Sequence, residues 1–117
     1  MSNRFSFGLK GEVVIARLEG RIHGTYSDEV DTALTHAVAE AKYVILDLEK
    51  LEFISSSGLR IFLKLRRELI NREGAVAFAR SSDSVKEIFD VASFEHLFPI
   101  TDSIEEALEI WGLSEEK

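Results

Sequence analysis

At 117 residues the chain can build one compact hydrophobic core and is too short for two, so its function resides in a single domain and on that domain's surface. Hydrophobic residues make up 45% and charged residues 30%, the balance of a soluble globular protein, and one proline leaves little room for structureless linkers. A net charge of -7 opposes binding to nucleic-acid phosphates or anionic lipid, and the absence of cysteine excludes disulfides, zinc–thiolate sites and thiol catalysis.

The first residues, Met1 to Gly8, hold no apolar run of signal-peptide length, and no stretch reaches the ~20 apolar residues that span a bilayer. A cytoplasmic protein without membrane association is therefore expected. Phe5 to Leu9 reads as a weak strand, the hairpin partner of a stronger one over Glu12 to Glu19, where Val13-Val14-Ile15-Ala16 lies between Gly11 and Gly20. Val30, Leu34, Ala37, Val38 and Ala41 then fall at helical spacing, with Thr25 or Ser27 placed to cap the first turn. Tyr43-Val44-Ile45-Leu46 is apolar without alternation, as in a strand covered on both faces, and completes a right-handed parallel crossover.

A second helix opens after the serines at 55–57, carries Leu59, Phe62, Leu63, Leu69 and Ile70 on one face, and stops at Asn71 to Gly74. Val76 to Ala79 reads as a strand, followed by a helix capped by Ser82 with Val85, Ile88, Phe89 and Ala92 inward. A short strand near Leu97 to Ile100 precedes a last helix, capped by Asp102 or Ser103, with Ile104, Ala107, Leu108 and Trp111 on its apolar face. The expected order is β-β-α-β-α-β-α-(β)-α: an α/β domain over residues 1–113, with a mostly parallel sheet of four to five strands, about four helices and a frayed tail at 114–117.

Ser55-Ser56-Ser57-Gly58 follows a strand and opens a helix, where up to about four backbone N–H groups lack intrahelical acceptors. The plain reading is that one serine caps the helix and Gly58 eases the tight turn. The surrounding residues add to that. The run Leu46-Asp47-Leu48-Glu49-Lys50-Leu51-Glu52-Phe53-Ile54-Ser55-Ser56-Ser57-Gly58-Leu59 closely resembles the signature of STAS domains, specifically the bacterial anti-sigma factor antagonists. Leu18-Glu19-Gly20-Arg21-Ile22 looks like that family's strand-end motif, and Ser82 through Phe94 looks like its later capped helix.

The resemblance implies the STAS fold and a role as a binding module that frees a sigma factor by capturing its anti-sigma factor, itself a serine/threonine-protein kinase. It also implies that this kinase phosphorylates the first serine of the Ser-Ser-Gly step, which by position is Ser56, with Ser55 and Ser57 as secondary alternatives. Phosphorylation then ends binding. The family usually carries Asp just before the acceptor and Asp at the end of the second strand, where this chain has Ser55 and His23. The expected partner-binding set is His23, Ser55, Ser56, Ser57, Gly58, Arg60 and Lys64, on a monomer or weak dimer.

Arg60, Lys64 and Arg67 recur as a basic stripe on the second helix, and Arg60 opposes the dipole in the first turn. Arg60 is expected to meet a phosphate on Ser56 or an acidic group of the partner. Enzymatic activity is not expected: His23, His36 and His96 lie on separate segments, and the Gly-x-Ser-x-Gly elbow of serine hydrolases is absent. Neither a phosphate-binding loop nor calcium-loop spacing occurs, so no cofactor or metal is expected, and Asp28, Asp31, Asp47 and Glu49 read as caps and solvated surface. The alternative function is an unphosphorylated STAS scaffold of a stress-sensing or lipid-transport complex.

Overall fold

The structure is a computed structural model and describes residues 3–113; the expected frayed tail lies outside the described residues. Strands β1 (Arg4–Lys10) and β2 (Val13–Ile22) form an antiparallel hairpin, reversed at Gly11, which holds the left-handed φ of 63° that a side chain would strain. Helix α1 (Gly24–Ala37) crosses back to β3 (Tyr43–Asp47), which runs parallel to the first half of β2. A further strand, β4 (Leu51–Ile54), then pairs in parallel with the far end of β2, Ile54 opposite Ile22. Helix α2 (Ser56–Asn71), β5 (Ala75–Ala79), α3 (Asp83–Val91), a 3₁₀ turn (Phe94–His96), β6 (Ile100–Thr101) and α4 (Ile104–Ile110) follow.

The sheet order is β1-β2-β3-β5-β6, with β4 on the second half of β2. It has six strands among the described residues, where the sequence suggested four to five. The extra strand is β4. Its four residues are too few to show a period, and Leu51 and Ile54 are buried in the core cluster on which α2 and α3 pack.

The strong β2 segment is long enough to serve two neighbours in succession, and a register shift between Gly20 and Arg21 separates them. Helices α1, α2 and α3 cover one face through Val30, Leu34, Phe62, Leu65, Leu69, Val85 and Phe89. At its centre Phe78 stacks on Phe89 with ring centroids 4.6 Å apart. Helix α4 covers part of the other face, setting Ala107 and Leu108 on Val13, Ile15, Ile45, Ala77 and Ala79.

Ser82 and Ser103 cap α3 and α4 as expected, accepting from the amides of Val85 and Glu106. Helix α1 differs. His23 is its N-cap residue and makes no side-chain cap bond, while Thr25 and Ser27 lie inside the first turn. On α2 the buried stripe is Ile61, Phe62, Leu65 and Leu69, whereas Ile70 faces outward at 46% exposure.

Candidate functional site

The serine segment begins where β4 ends. The Ser55 amide donates to the Ile22 carbonyl at 2.9 Å, extending the β2–β4 ladder by one bond. The chain then turns into α2 with Ser55 as N-cap: its Oγ accepts from the Gly58 amide at 3.3 Å and its carbonyl accepts from the Leu59 amide at 2.9 Å. Of the three serines, Ser55 is the cap, and Ser56 and Ser57 belong to the first turn of the helix.

The three hydroxyls have different surroundings. Ser57 Oγ sits 2.9 Å from Ser55 Oγ and 3.3 Å from the Oγ of Ser27 on α1, whose side chain is only 3% exposed. Ser56 is exposed, and neither its hydroxyl nor its amide has a partner among the described residues. Gly58 serves packing rather than the turn. A Cβ there would come within 2.5 Å of Ile54 Cγ1 and 2.9 Å of Ile22 Cγ2, so glycine lets the first turn of α2 rest on the ends of β4 and β2.

Arg60, one helical turn beyond Ser56, is exposed and has no ionic partner among the described residues. Lys64, expected beside it on the same stripe, is engaged: its Nζ lies 2.7 Å from Asp31 Oδ1 and ties α2 to α1. His23 is exposed, with its ring edge-on to Phe53 at a centroid distance of 6.3 Å. The Arg21 guanidinium lies 4.7 Å from the centroid of the same Phe53 ring. Arg21 and Phe53 stand in the sequence motifs but not in the expected partner-binding set, since their opposition exists only through the β2–β4 pairing.

The family model described as STAS domain matches residues 8–107. The chain belongs to the STAS domain family. BtrV of Bordetella bronchiseptica, which carries the name of an anti-sigma factor antagonist, is 30% identical over 96 residues, covering 81% of this chain and 83% of that one. The anti-sigma F factor antagonist of Paenibacillus polymyxa is 31% identical over 99 residues, covering 82% of this chain and 84% of its own. The unphosphorylated anti-sigma factor antagonist SpoIIAA superposes with a TM-score of 0.79 at 21% identity, covering 96% of this chain and all of its own. The phosphorylated form of SpoIIAA from Bacillus superposes with a TM-score of 0.72 at 22% identity, covering 92% and 99%. At those identities the superpositions establish a shared fold.

A second polar cluster of this STAS domain lies where β2, β3 and β5 emerge from beneath α4. Asp47, read from sequence as surface, is 2% exposed and receives Arg80 through two bonds, Nε to Oδ1 at 3.0 Å and Nη2 to Oδ2 at 2.7 Å. Arg17 Nε approaches Oδ2 at 3.2 Å, and Glu49 Oε1 lies 3.2 Å from Arg80 Nη2. Hydrogen bonding to Asp47 raises the Arg80 pKa above its ordinary value. The cluster lines a cavity of about 110 Å³ in which these opposite charges answer one another.

No side-chain hydrogen bond joins a histidine to a serine among the described residues: His36 lies on α1, and His96 on the 3₁₀ turn faces Glu95 at 3.5 Å. The described residues hold no group of three or more carboxylates and histidines placed to bind a metal. None of their helices is long and apolar enough to cross a membrane.

Proposed function

We propose that this STAS domain is a cytoplasmic anti-sigma factor antagonist: unphosphorylated, it binds an anti-sigma factor that is also a serine kinase, and phosphorylation of Ser56 releases it. In this reading the domain catalyses nothing itself and controls transcription only by freeing or surrendering a sigma factor. The observation that carries the reading is the contrast within the serine segment. Ser55 and Ser57 have partnered hydroxyls, while that of Ser56 is exposed at the head of α2. The names of the two curated relatives and the existence of SpoIIAA in both phosphorylation states support it.

The physics of the position suits a switch. A phosphate on the first residue of α2 gains helix-dipole and N–H interactions worth about 0.3–2 kcal/mol, so the fold tolerates it. It also adds nearly two negative charges to the contact surface. Arg60 stands one turn away, within reach of that phosphate, and supplies a free cation to an acidic partner when the phosphate is absent. His23 and Ser55 replace the carboxylates usual in the family, so the surface offered to the kinase here is less acidic and includes the Arg21–Phe53–His23 face.

The test is affinity capture followed by binding measurements on Ser56→Ala and Ser56→Asp. The captured partner is expected to be a kinase with a histidine-kinase-like ATPase fold, bound by Ser56→Ala as by wild type and by Ser56→Asp at least tenfold more weakly. Equal binding by the two variants removes the charge switch. Capture of transporter components or large assemblies of homologous domains instead supports the scaffold alternative. Arg60→Ala is expected to weaken the unmodified complex; an unchanged dissociation constant in both phosphorylation states would exclude Arg60 from the contact.

A further inference from the structure

We infer that Ser27 of α1 is a specificity-determining residue: by holding the Ser57 hydroxyl inside the α1–α2 junction, it leaves Ser56 as the sole phosphoacceptor of the triple-serine segment. This rests on the phosphorylation reading given above and adds to it the reason why one of three adjacent serines is chosen.

The argument follows the hydroxyls. Ser27 is 3% exposed, and the one side-chain partner of its hydroxyl among the described residues is Ser57, at 3.3 Å. A buried hydroxyl needs a partner, so turning Ser57 outward takes away the one the Ser27 hydroxyl has in this arrangement. Ser57 is also bonded to Ser55 at 2.9 Å, and Ser55 in turn accepts from the Gly58 amide in the first turn of the helix. The chain Ser27–Ser57–Ser55–Gly58 therefore engages two of the three hydroxyls of the segment and anchors them on a neighbouring helix.

Phosphoryl transfer needs the opposite condition. The attacking serine oxygen forms a bond to the γ-phosphorus of ATP on the kinase, the bond to the β–γ bridging oxygen breaks, ADP leaves, and the hydroxyl proton passes to the kinase's base. An oxygen that does this must face outward in line with the γ-phosphate. Ser56 meets the condition as it stands; Ser57 must first break from Ser27 and Ser55. The identity of the side chain at position 27, remote in sequence from the serines, thus decides the site.

Wild type, Ser56→Ala, and the double variant Ser27→Ala/Ser56→Ala are incubated with Mg-ATP and the kinase recovered by affinity capture, and phosphate is mapped by fragment mass spectrometry. Phosphate is expected on Ser56 in wild type, at no more than background in Ser56→Ala, and on Ser57 of the double variant at least tenfold above Ser56→Ala. Ser56→Ala alters an exposed side chain and so folds; Ser27→Cys, a weaker donor, replaces Ser27→Ala if melting shows the latter unfolded. Phosphate on Ser57 of Ser56→Ala at the rate of the double variant overturns the inference. So does a folded double variant that stays unmodified, and both results leave Ser56 phosphorylation intact. Wild type unmodified at every serine overturns the phosphorylation reading and this inference together. A merely structural role for Ser27 would lower the overall rate without moving phosphate from one serine to another.

Discussion

At the residue scale, two positions show how a single atom decides an outcome. Alanine at position 58 has the better helix propensity by about 1 kcal/mol, yet its Cβ would lie 2.5 Å from Ile54 Cγ1 and 2.9 Å from Ile22 Cγ2. Overpacking of that kind costs about 1–3 kcal/mol, so Gly58→Ala is expected to lower stability by about 1 kcal/mol net, read as a lower urea midpoint at unchanged slope. Tyr26 gives the second case. Its hydroxyl lies 2.8 and 2.9 Å from the carbonyl oxygens of Arg4 and Glu19 and shares its one proton between them, stitching α1 to the β1–β2 hairpin. Burial is the main cause that raises its pKa above the ordinary tyrosine value. The raised pKa keeps the phenol protonated in the fold while the unfolded chain begins to ionise near pH ~10. The stabilisation is therefore full below that pH and lost as pH rises toward the folded pKa. Unfolding titrations above pH ~9.5 are expected to show a steeper alkaline loss in wild type than in Tyr26→Phe.

At the element scale, much of the order was legible and its least regular part was not. The helices α2, α3 and α4 and the strands β2, β3 and β5 announced themselves because each shows an apolar pattern of sufficient length between recognisable caps or turns. Strand β4 did not, since Leu51–Ile54 has no readable period and gains its ladder only from the second half of β2. The start of α1 was misplaced for a related reason: Thr25 and Ser27 have the chemistry of caps, but His23 holds the extended backbone. Asp47 belongs here as well, as it fastens the ends of adjacent strands through Arg17 and Arg80. Breaking a buried pair costs about 3–5 kcal/mol, and the partial exposure of both arginines reduces that. Asp47→Asn is expected to cost about 2 kcal/mol by chemical denaturation, the loss falling as salt is raised.

At the scale of the whole molecule, the sheet joins two layers that are unequal in size. Most of the core lies under α1, α2 and α3, and α4 closes a smaller cluster in which Trp111 packs on Tyr43 with centroids 5.0 Å apart. Val13, Ile15 and Ile45 of that cluster alternate along their strands with Val14, Ala16, Val44 and Leu46 of the larger one, so neither layer can loosen without disturbing the strands. Unfolding is therefore expected to be a single transition, with the fluorescence of the one tryptophan and the far-ultraviolet circular dichroism giving coincident curves. An earlier fluorescence transition would mean that α4 detaches by itself.

The sequence by itself determined the α/β class, the family resemblance and the place of the serine segment at a helix start, because these depend on local period, caps and a contiguous motif. It also located Arg60 one turn beyond Ser56. Only the tertiary structure decided which serine is free. Ser57 is engaged in part by Ser27, which approaches the segment through the packing of α1 against α2, a contact between residues 30 positions apart that no local pattern encodes. The same holds for the role of Gly58 and for the opposition of Arg21 and His23 to Phe53, since each requires β2 and β4 to be neighbours first.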